Sequence, residues 1–108
     1  MFPGDRDIDV TKNIKMIEWL KSELLTTIAS LYHILAKGLR DSHDALVDVL
    51  ANIILVTYLL GRRLGISFRL IDVRVHEKIR LGILENHQLE EWYGDLSELK
   101  QYLDKDEN

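Results

Sequence analysis

Two long stretches with apolar residues at helical spacing constrain the fold of this chain more than any other feature. In residues 12–37 the apolar positions recur every three or four residues: Ile17, Leu20, Leu24, Ile28, Leu31 and Leu35. In residues 41–65 the corresponding positions are Leu46, Leu50, Ile53, Thr57, Leu60 and Leu64. This spacing predicts two long helices that pack against each other. The only proline is Pro3, so no proline breaks either helix.

Residues with cap chemistry set the predicted ends of these helices. Thr11 is a candidate cap for the first helix, and Gly38 ends it. The second helix begins at Asp41 or Ser42 and continues to Gly65.

Two further helical segments are predicted after residue 66. Residues 67–84 fit both a strand, through alternating apolar residues, and a helix; the length of the run and Ser67 as a candidate N-cap favour the helix. Residues 88–103 form the last segment, with Gly94 as a kink or break. Because the connections are short, neighbouring helices should be antiparallel. We therefore predict an all-α, antiparallel four-helix bundle-like fold, with residues 1–108 as a single domain.

Charge and composition exclude several classes of protein. The chain has no cysteine, which excludes thiol catalysis and a disulfide scaffold and agrees with a cytoplasmic location. Its net charge is −4, so nucleic acid is not an expected partner, although residues 62–84 are basic. The longest apolar run, residues 49–60, is shorter than the ~20 residues that a membrane-spanning helix needs, and no membrane association is expected.

Acidic residues line one side of the second predicted helix. Asp41, Asp44 and Asp48 are spaced at i, i+3 and i+7, and Asn52 extends the line into a stretch that is apolar nearly all round. We therefore expect Asn52 and Asp48 to lie in an apolar setting, where a polar side chain needs a partner. Oxygen ligands of this kind suit Mg²⁺, and Glu23 on the first helix could complete the site. The alternative is structural. Asp41 and Asp44 would then complement the helix N-terminus, while Asp48 and Asn52 would bond to hydroxyls on Thr26, Thr27, Ser30 or Tyr58.

Other chemically capable residues also have two interpretations. Trp19, Trp92 and Tyr93 are expected in the core, with stacking on a nucleobase as the alternative. Lys78 and Arg80 could bind a phosphate group, or could simply be solvated. No two of the four histidines have the i, i+4 spacing of HExxH-type zinc motifs.

The segment DALVDVLANIILVTYLLGRRLGI resembles a conserved stretch of the all-α nucleoside triphosphate pyrophosphohydrolases, and KSELLTTIASLYHILAKG is similar to their first motif helix. With EKIRL and EWYGDLSELKQYL, nearly the whole chain resembles the MazG-like family. This resemblance implies a dimeric helical bundle that cleaves nucleoside triphosphates between the α and β phosphates with Mg²⁺.

By position, the resemblance also implies roles for individual residues. Glu23 and Asp48 match metal-binding carboxylates, so both are candidate catalytic and metal residues. Asp44 falls just before the second motif and is a further candidate metal ligand. Lys78 resembles a phosphate-contacting lysine, and we add Asn52 and Arg80 as candidate substrate-binding residues.

Three positions depart from the family pattern. Ser22, Thr26 and Ala45 stand where the motifs have glutamates. Two functions therefore remain open: a Mg²⁺-dependent pyrophosphohydrolase, or a catalytically degenerate helical module that binds a nucleotide or a protein. In either case we expect a homodimer or higher homo-oligomer, because two long apolar helices in so short a chain leave apolar surface uncovered.

Overall fold

A computed structural model describes the backbone of residues 3–38 and 43–105, and the side chains of these ranges from residue 8 onward. Within these ranges five helices follow one another: α1 (Pro3–Lys37), α2 (His43–Arg63), α3 (Phe68–Leu84), α4 (Gln88–Tyr93) and α5 (Asp95–Lys105). The two described ranges contain no strand, which confirms the all-α class and the helical interpretation of residues 67–84. The chain divides into two compact units, residues 1–68 and 69–108, and the single domain stays a prediction.

The ends of the helices follow from local backbone chemistry. The predicted start of α1 near Thr11 is wrong, since the helix begins at Pro3. Proline is well suited to the first helical position because its missing N–H would have no partner inside the helix. Gly38, at φ +98°, follows the end of α1 as expected. The predicted N-cap at Asp41 or Ser42 lies outside the described residues.

A residue in the left-handed conformation follows both α2 and α3, and the chain after it bonds to the last turn of the helix. After α2, the Ile66 N–H donates to the Gly61 carbonyl at 2.9 Å while Gly65 has φ +87°. After α3, the His87 N–H donates in the same way to the Gly82 carbonyl at 2.9 Å, with Asn86 at φ 53°. These bonds satisfy carbonyl groups that a helix end otherwise leaves free, so both helices stop abruptly.

The first unit is a hairpin of α1 and α2. Asn13 on α1 donates to the Arg63 carbonyl at 3.0 Å, and the Arg63 guanidinium donates back to the Asn13 side chain at 3.3 Å. Nearer the turn, Asn52 on α2 bonds to Thr27 on α1. Since early residues of α1 meet late residues of α2, the two helices are antiparallel, as predicted.

The buried residues of the hairpin are few. Leu20 and Val56 are each 3% exposed, and Thr27 is 6% exposed. On α1, Leu20 belongs to the predicted stripe and Thr27 does not, while Leu35, at the end of that stripe, is 50% exposed. On α2 the predicted stripe is partly wrong, because Leu50 and Leu64 are exposed while Val56 is buried. Since α2 is apolar nearly all round from Val49 onward, periodicity alone could not identify the face that packs on α1.

The second unit contains α4 and α5, and Leu96 of α5 packs closely on α3. A Cβ atom added at Gly82 of α3 would lie 2.7 Å from the Leu96 side chain, so glycine permits this approach. His87 caps α4, because its Nδ1 accepts a hydrogen bond from the Leu89 N–H at 3.1 Å. Gly94, at φ +68°, separates α4 from α5, which confirms the predicted break.

Glu90 of α4 caps the N-terminus of α5. Its carboxylate accepts hydrogen bonds from the Ser97 hydroxyl and, at 3.1 Å, from the Ser97 backbone N–H. These two bonds, the hydroxyl bond first, lower the pKa of Glu90 below its ordinary value. A side chain of one helix thus satisfies a free N–H of the next.

This cap predicts a pH dependence in the acidic range. Because the folded pKa of Glu90 is lowered, its contribution to stability is present above the ordinary pKa of glutamate and is lost as pH falls through the lowered value. We expect Ser97→Ala to raise the pKa of Glu90, measured by NMR titration of its carboxyl carbon. Ser97→Thr, which keeps a hydroxyl, is the control. An unchanged pKa in Ser97→Ala would contradict the assigned cause.

By length and composition, α2 is the one helix of the described chain that could span a membrane. A helix at the core of a water-soluble protein meets the same criterion, so this observation alone does not assign a location.

Candidate functional site

The predicted site residues on α1 and α2 meet at the middle of the hairpin. The Asn52 side-chain amide donates to the Thr27 hydroxyl oxygen at 2.9 Å and, over a longer 3.4 Å, to Glu23 Oε1. Thr27 is buried, and Glu23 and Asn52 are half-buried. The structure therefore brings together a carboxylate, an amide and a hydroxyl that come from two helices.

Asn52 owes its position to the apolar sequence around it. It lies within the apolar run of residues 49–60, where a polar side chain without a hydrogen-bond partner would destabilise the fold. Thr27 and Glu23 supply the hydrogen bonds that the sequence leads us to expect. Of the four hydroxyls considered as partners, Thr27 is the one that bonds to Asn52.

The remaining acidic candidates on α2 lie toward its N-terminus and are exposed. Asp48 is one turn before Asn52 and Asp44 one turn before Asp48, so the three share a helix face. The expectation that Asp48 is drawn into the apolar interior is wrong, since its side chain is exposed. The structure also has no group of three or more His, Cys, Asp or Glu side chains able to hold a metal ion, as far as residues 8–38 and 43–105 show.

Ser22, Thr26 and Ala45, at the positions that depart from the family motifs, are all exposed. None of them has a carboxylate, so the hairpin presents Glu23, Asp44 and Asp48 as its acidic groups in this region. Glu18 is not part of this set, because it lies about 140° from Glu23 around an ideal helix and pairs with Lys21 at 3.1 Å.

The two basic candidates lie on α3, within the second unit. Lys78 and Arg80 are both exposed. They are two residues apart and therefore point about 200° from each other around the helix. A single phosphate group would meet one of them and not both, and the phosphate-binding role of each stays a prediction.

The expectation that the aromatic candidates lie in the core is wrong. Trp19 is 57% exposed, Trp92 is 64% exposed and Tyr93 is 69% exposed. Trp92 and Tyr93 contact each other edge to face, with ring centroids 6.4 Å apart. Apolar spacing places an aromatic on a helix face but does not show whether another helix covers that face.

Sequence reasoning missed the reciprocal pair of Asn13 and Arg63, which joins the open end of the hairpin. The two residues are 50 positions apart, and neither belongs to a recognisable local pattern. Only the antiparallel register of α1 and α2 brings them together.

Comparisons with known proteins give one positive result. No significant match was found among curated proteins or among solved structures. The model of the MazG-like family, in contrast, matches residues 10–96, a range that includes every candidate site residue named above. Because the match covers most of the chain and agrees with the all-α fold, this protein belongs to the MazG-like family.

Proposed function

We propose that the protein is a nucleoside triphosphate pyrophosphohydrolase. It would cleave the phosphoanhydride between the α and β phosphates with water, giving a nucleoside monophosphate and pyrophosphate. The observation that carries this proposal is the pairing of Glu23 with Asn52 across the hairpin, in a member of the MazG-like family. One oxygen of the half-buried Glu23 carboxylate is contacted by the Asn52 amide, which itself bonds to Thr27, so the site has some support from the protein around it.

The carboxylates of the site suit a Mg²⁺ ion that is bound by the protein and by the phosphates of the substrate together. Mg²⁺ is usually bound through one or two protein carboxylates together with substrate phosphates and water. Glu23 and Asp48 would provide these carboxylates, with Asp44 as a further candidate. When bound, Mg²⁺ would neutralise negative charge on the phosphates.

The residues of the chain would have distinct tasks. The Asn52 amide donates a long hydrogen bond of 3.4 Å to one oxygen of the Glu23 carboxylate and would help to orient it. Glu23 could then accept the proton that the attacking water loses. Asp48, which is exposed one turn from Asn52, lies where a ligand can reach it from solvent. Lys78 and Arg80, on α3, are candidate phosphate-binding residues.

A second candidate function is a catalytically degenerate module that binds a nucleotide or a protein. The specific observation in its favour is the loss of carboxylates at Ser22, Thr26 and Ala45. With fewer acidic groups, the attraction for a divalent cation falls. The two functions differ in what they predict for Asp48.

Replacing Asp48 with alanine distinguishes the two functions. If Asp48 binds Mg²⁺, Asp48→Ala should abolish the rise in melting temperature that Mg²⁺ causes in the wild type, and should stabilise the metal-free protein by removing like-charge repulsion with Asp44. Thermal denaturation with and without Mg²⁺ measures both effects. Ser30→Ala, a change outside the acidic set, is the control. A wild type that does not respond to Mg²⁺ would favour the degenerate module.

We also propose that the protein is a cytoplasmic homodimer, or a higher homo-oligomer, without nucleic-acid or membrane partners. Support for self-association comes from the outer face of α2. Val47, Leu50 and Ile54 are spaced at i, i+3 and i+7, and they are 52%, 45% and 60% exposed. Burying this outer face against a second copy would remove apolar surface from water.

A charge placed on the outer face should therefore prevent association. We expect sedimentation to give a dimer or larger species for the wild type at tens of micromolar, and a 12.6 kDa monomer for Ile54→Lys. Leu84→Lys, at an exposed leucine of α3, is the control. A monomeric wild type would contradict self-association.

A further inference from the structure

One face of α1 combines an exposed aromatic ring with two lysines. Lys12, Lys15, Met16 and Trp19 are spaced at i, i+3, i+4 and i+7, so they share this face. They line an open surface cavity of about 520 Å³. A second cavity of about 310 Å³ is lined by Lys12 and Lys15 with Ile8 and Thr11, so the lysines border both. We call the four residues of the larger cavity the lysine–tryptophan face.

The apolar side chains of this face are exposed, as are several others on α1. Trp19 is 57% exposed and Met16 is 49% exposed, although both are among the most readily buried side chains. Hydrogen bonds and ion pairs within the described part of the chain do not involve either lysine, whereas Lys21 on the same helix pairs with Glu18. The face thus offers a large flat ring and two positive charges to solvent.

Charged residues are distributed unevenly along the lysine–tryptophan face. Lys12 and Lys15 lie on the N-terminal side of Trp19, with the exposed Asp9 three residues before Lys12, and Glu23 lies one turn on the C-terminal side of Trp19. A ligand whose aromatic ring stacks on Trp19 would have a negatively charged group drawn toward the lysines and repelled by Glu23. In the absence of a metal ion, this polarity favours one orientation of an anionic aromatic ligand.

We propose that the lysine–tryptophan face binds a nucleotide without metal, with the base stacked on Trp19 and the phosphate on Lys12 and Lys15. Stacking on an aromatic side chain accepts any base, because every base has a π-face. Lysine ammonium groups bind phosphate as point charges. The choice of a nucleotide among anionic aromatic ligands rests on the proposed function, whose product would be a nucleoside monophosphate.

The test is titration of the full-length protein with AMP in EDTA, followed by tryptophan fluorescence. Trp92→Phe serves as the background, so that Trp19 is the only tryptophan that reports. We expect saturable quenching by AMP, and binding weakened about tenfold or more in the variant that combines Lys12→Ala and Lys15→Ala. Lys21→Ala, which removes a lysine from another face of α1, should bind as the background does. Circular dichroism checks that each variant is helical.

Two further ligands separate the parts of the site. Adenosine lacks the phosphate and should bind about tenfold more weakly than AMP, and inorganic phosphate should not quench Trp19. Equal binding of AMP to the lysine variant, quenching by phosphate alone, or loss of AMP binding in Glu23→Gln would each overturn the proposal.

The AMP titration and the hydrolysis assay test the two proposals separately. If the protein binds AMP in EDTA but never releases pyrophosphate, nucleotide binding at the lysine–tryptophan face is supported and the proposed hydrolase activity is contradicted. If the protein releases pyrophosphate but its Trp19 fluorescence does not respond to AMP, nucleotide binding at the lysine–tryptophan face is contradicted and the proposed hydrolase activity is supported.

Discussion

Replacing Glu23 with glutamine is expected to lower the rate of Mg²⁺-dependent pyrophosphate release about 100-fold or more. The substitution removes the negative charge and the proton-accepting group, but glutamine Oε1 can still accept the hydrogen bond from Asn52. The hairpin should therefore remain folded, with a melting temperature in metal-free buffer close to that of the wild type. Release of pyrophosphate at saturating substrate measures the effect.

Glu18→Gln is the matched control for this prediction. Glu18 is on the same helix, is exposed and pairs with Lys21 at 3.1 Å, on a side of α1 away from Glu23. Exposed ion pairs contribute little to stability, so this variant should keep both activity and fold. If Glu23→Gln and Glu18→Gln have equal activity, Glu23 is not a catalytic residue.

The largest effect on stability is expected from Leu20→Ala. Leu20 is 3% exposed and lies on the face of α1 that packs against α2. Its truncation should lower the free energy of unfolding by about 3 kcal/mol, since it removes buried apolar surface and leaves a cavity. In a hairpin with so few buried residues, such a loss is a large share of the total stability.

Leu25→Ala is the matched control, because Leu25 is also a leucine of α1 but is 71% exposed. Its cost should be within about 0.5 kcal/mol. Urea denaturation followed by circular dichroism compares the two variants. A cost for Leu20→Ala no larger than that for Leu25→Ala would contradict the assigned core of the hairpin.

The helices were largely predictable because their signals are local. Spacing of apolar residues predicts α1, α2 and α3, and glycine at positions 38 and 94 predicts where helices end. The start of α1 was missed because Thr11 resembles a cap, whereas Pro3 is equally suited to a first helical position.

The packing of α2 and the exposure of the aromatics were less predictable for a different reason. From Val49 onward α2 is apolar nearly all round, so its sequence does not distinguish the side that contacts α1 and does not single out Val56. Trp19 likewise lies on a helix face with apolar spacing, yet no neighbour buries it. Burial depends on the partner helix, which local sequence does not specify.

The candidate site was predicted in its chemistry and only partly in its geometry. Asn52 was expected to need a polar partner, and Thr27 and Glu23 provide it. The sequence predicts Asp48 in the interior, whereas its side chain is exposed. Since a carboxylate next to an apolar stretch can turn outward to solvent at low cost, the sequence does not determine its burial.

Pyrophosphate release by the wild-type protein tests the central claim most directly. A panel of common and modified nucleoside triphosphates should be incubated with Mg²⁺, and the products compared with those formed in EDTA. If the protein is a hydrolase, at least one substrate should give equal amounts of pyrophosphate and nucleoside monophosphate, and EDTA should abolish the release. If no member of the panel gives pyrophosphate, the proposed hydrolase activity is contradicted, and the protein has the MazG-like fold without the reaction.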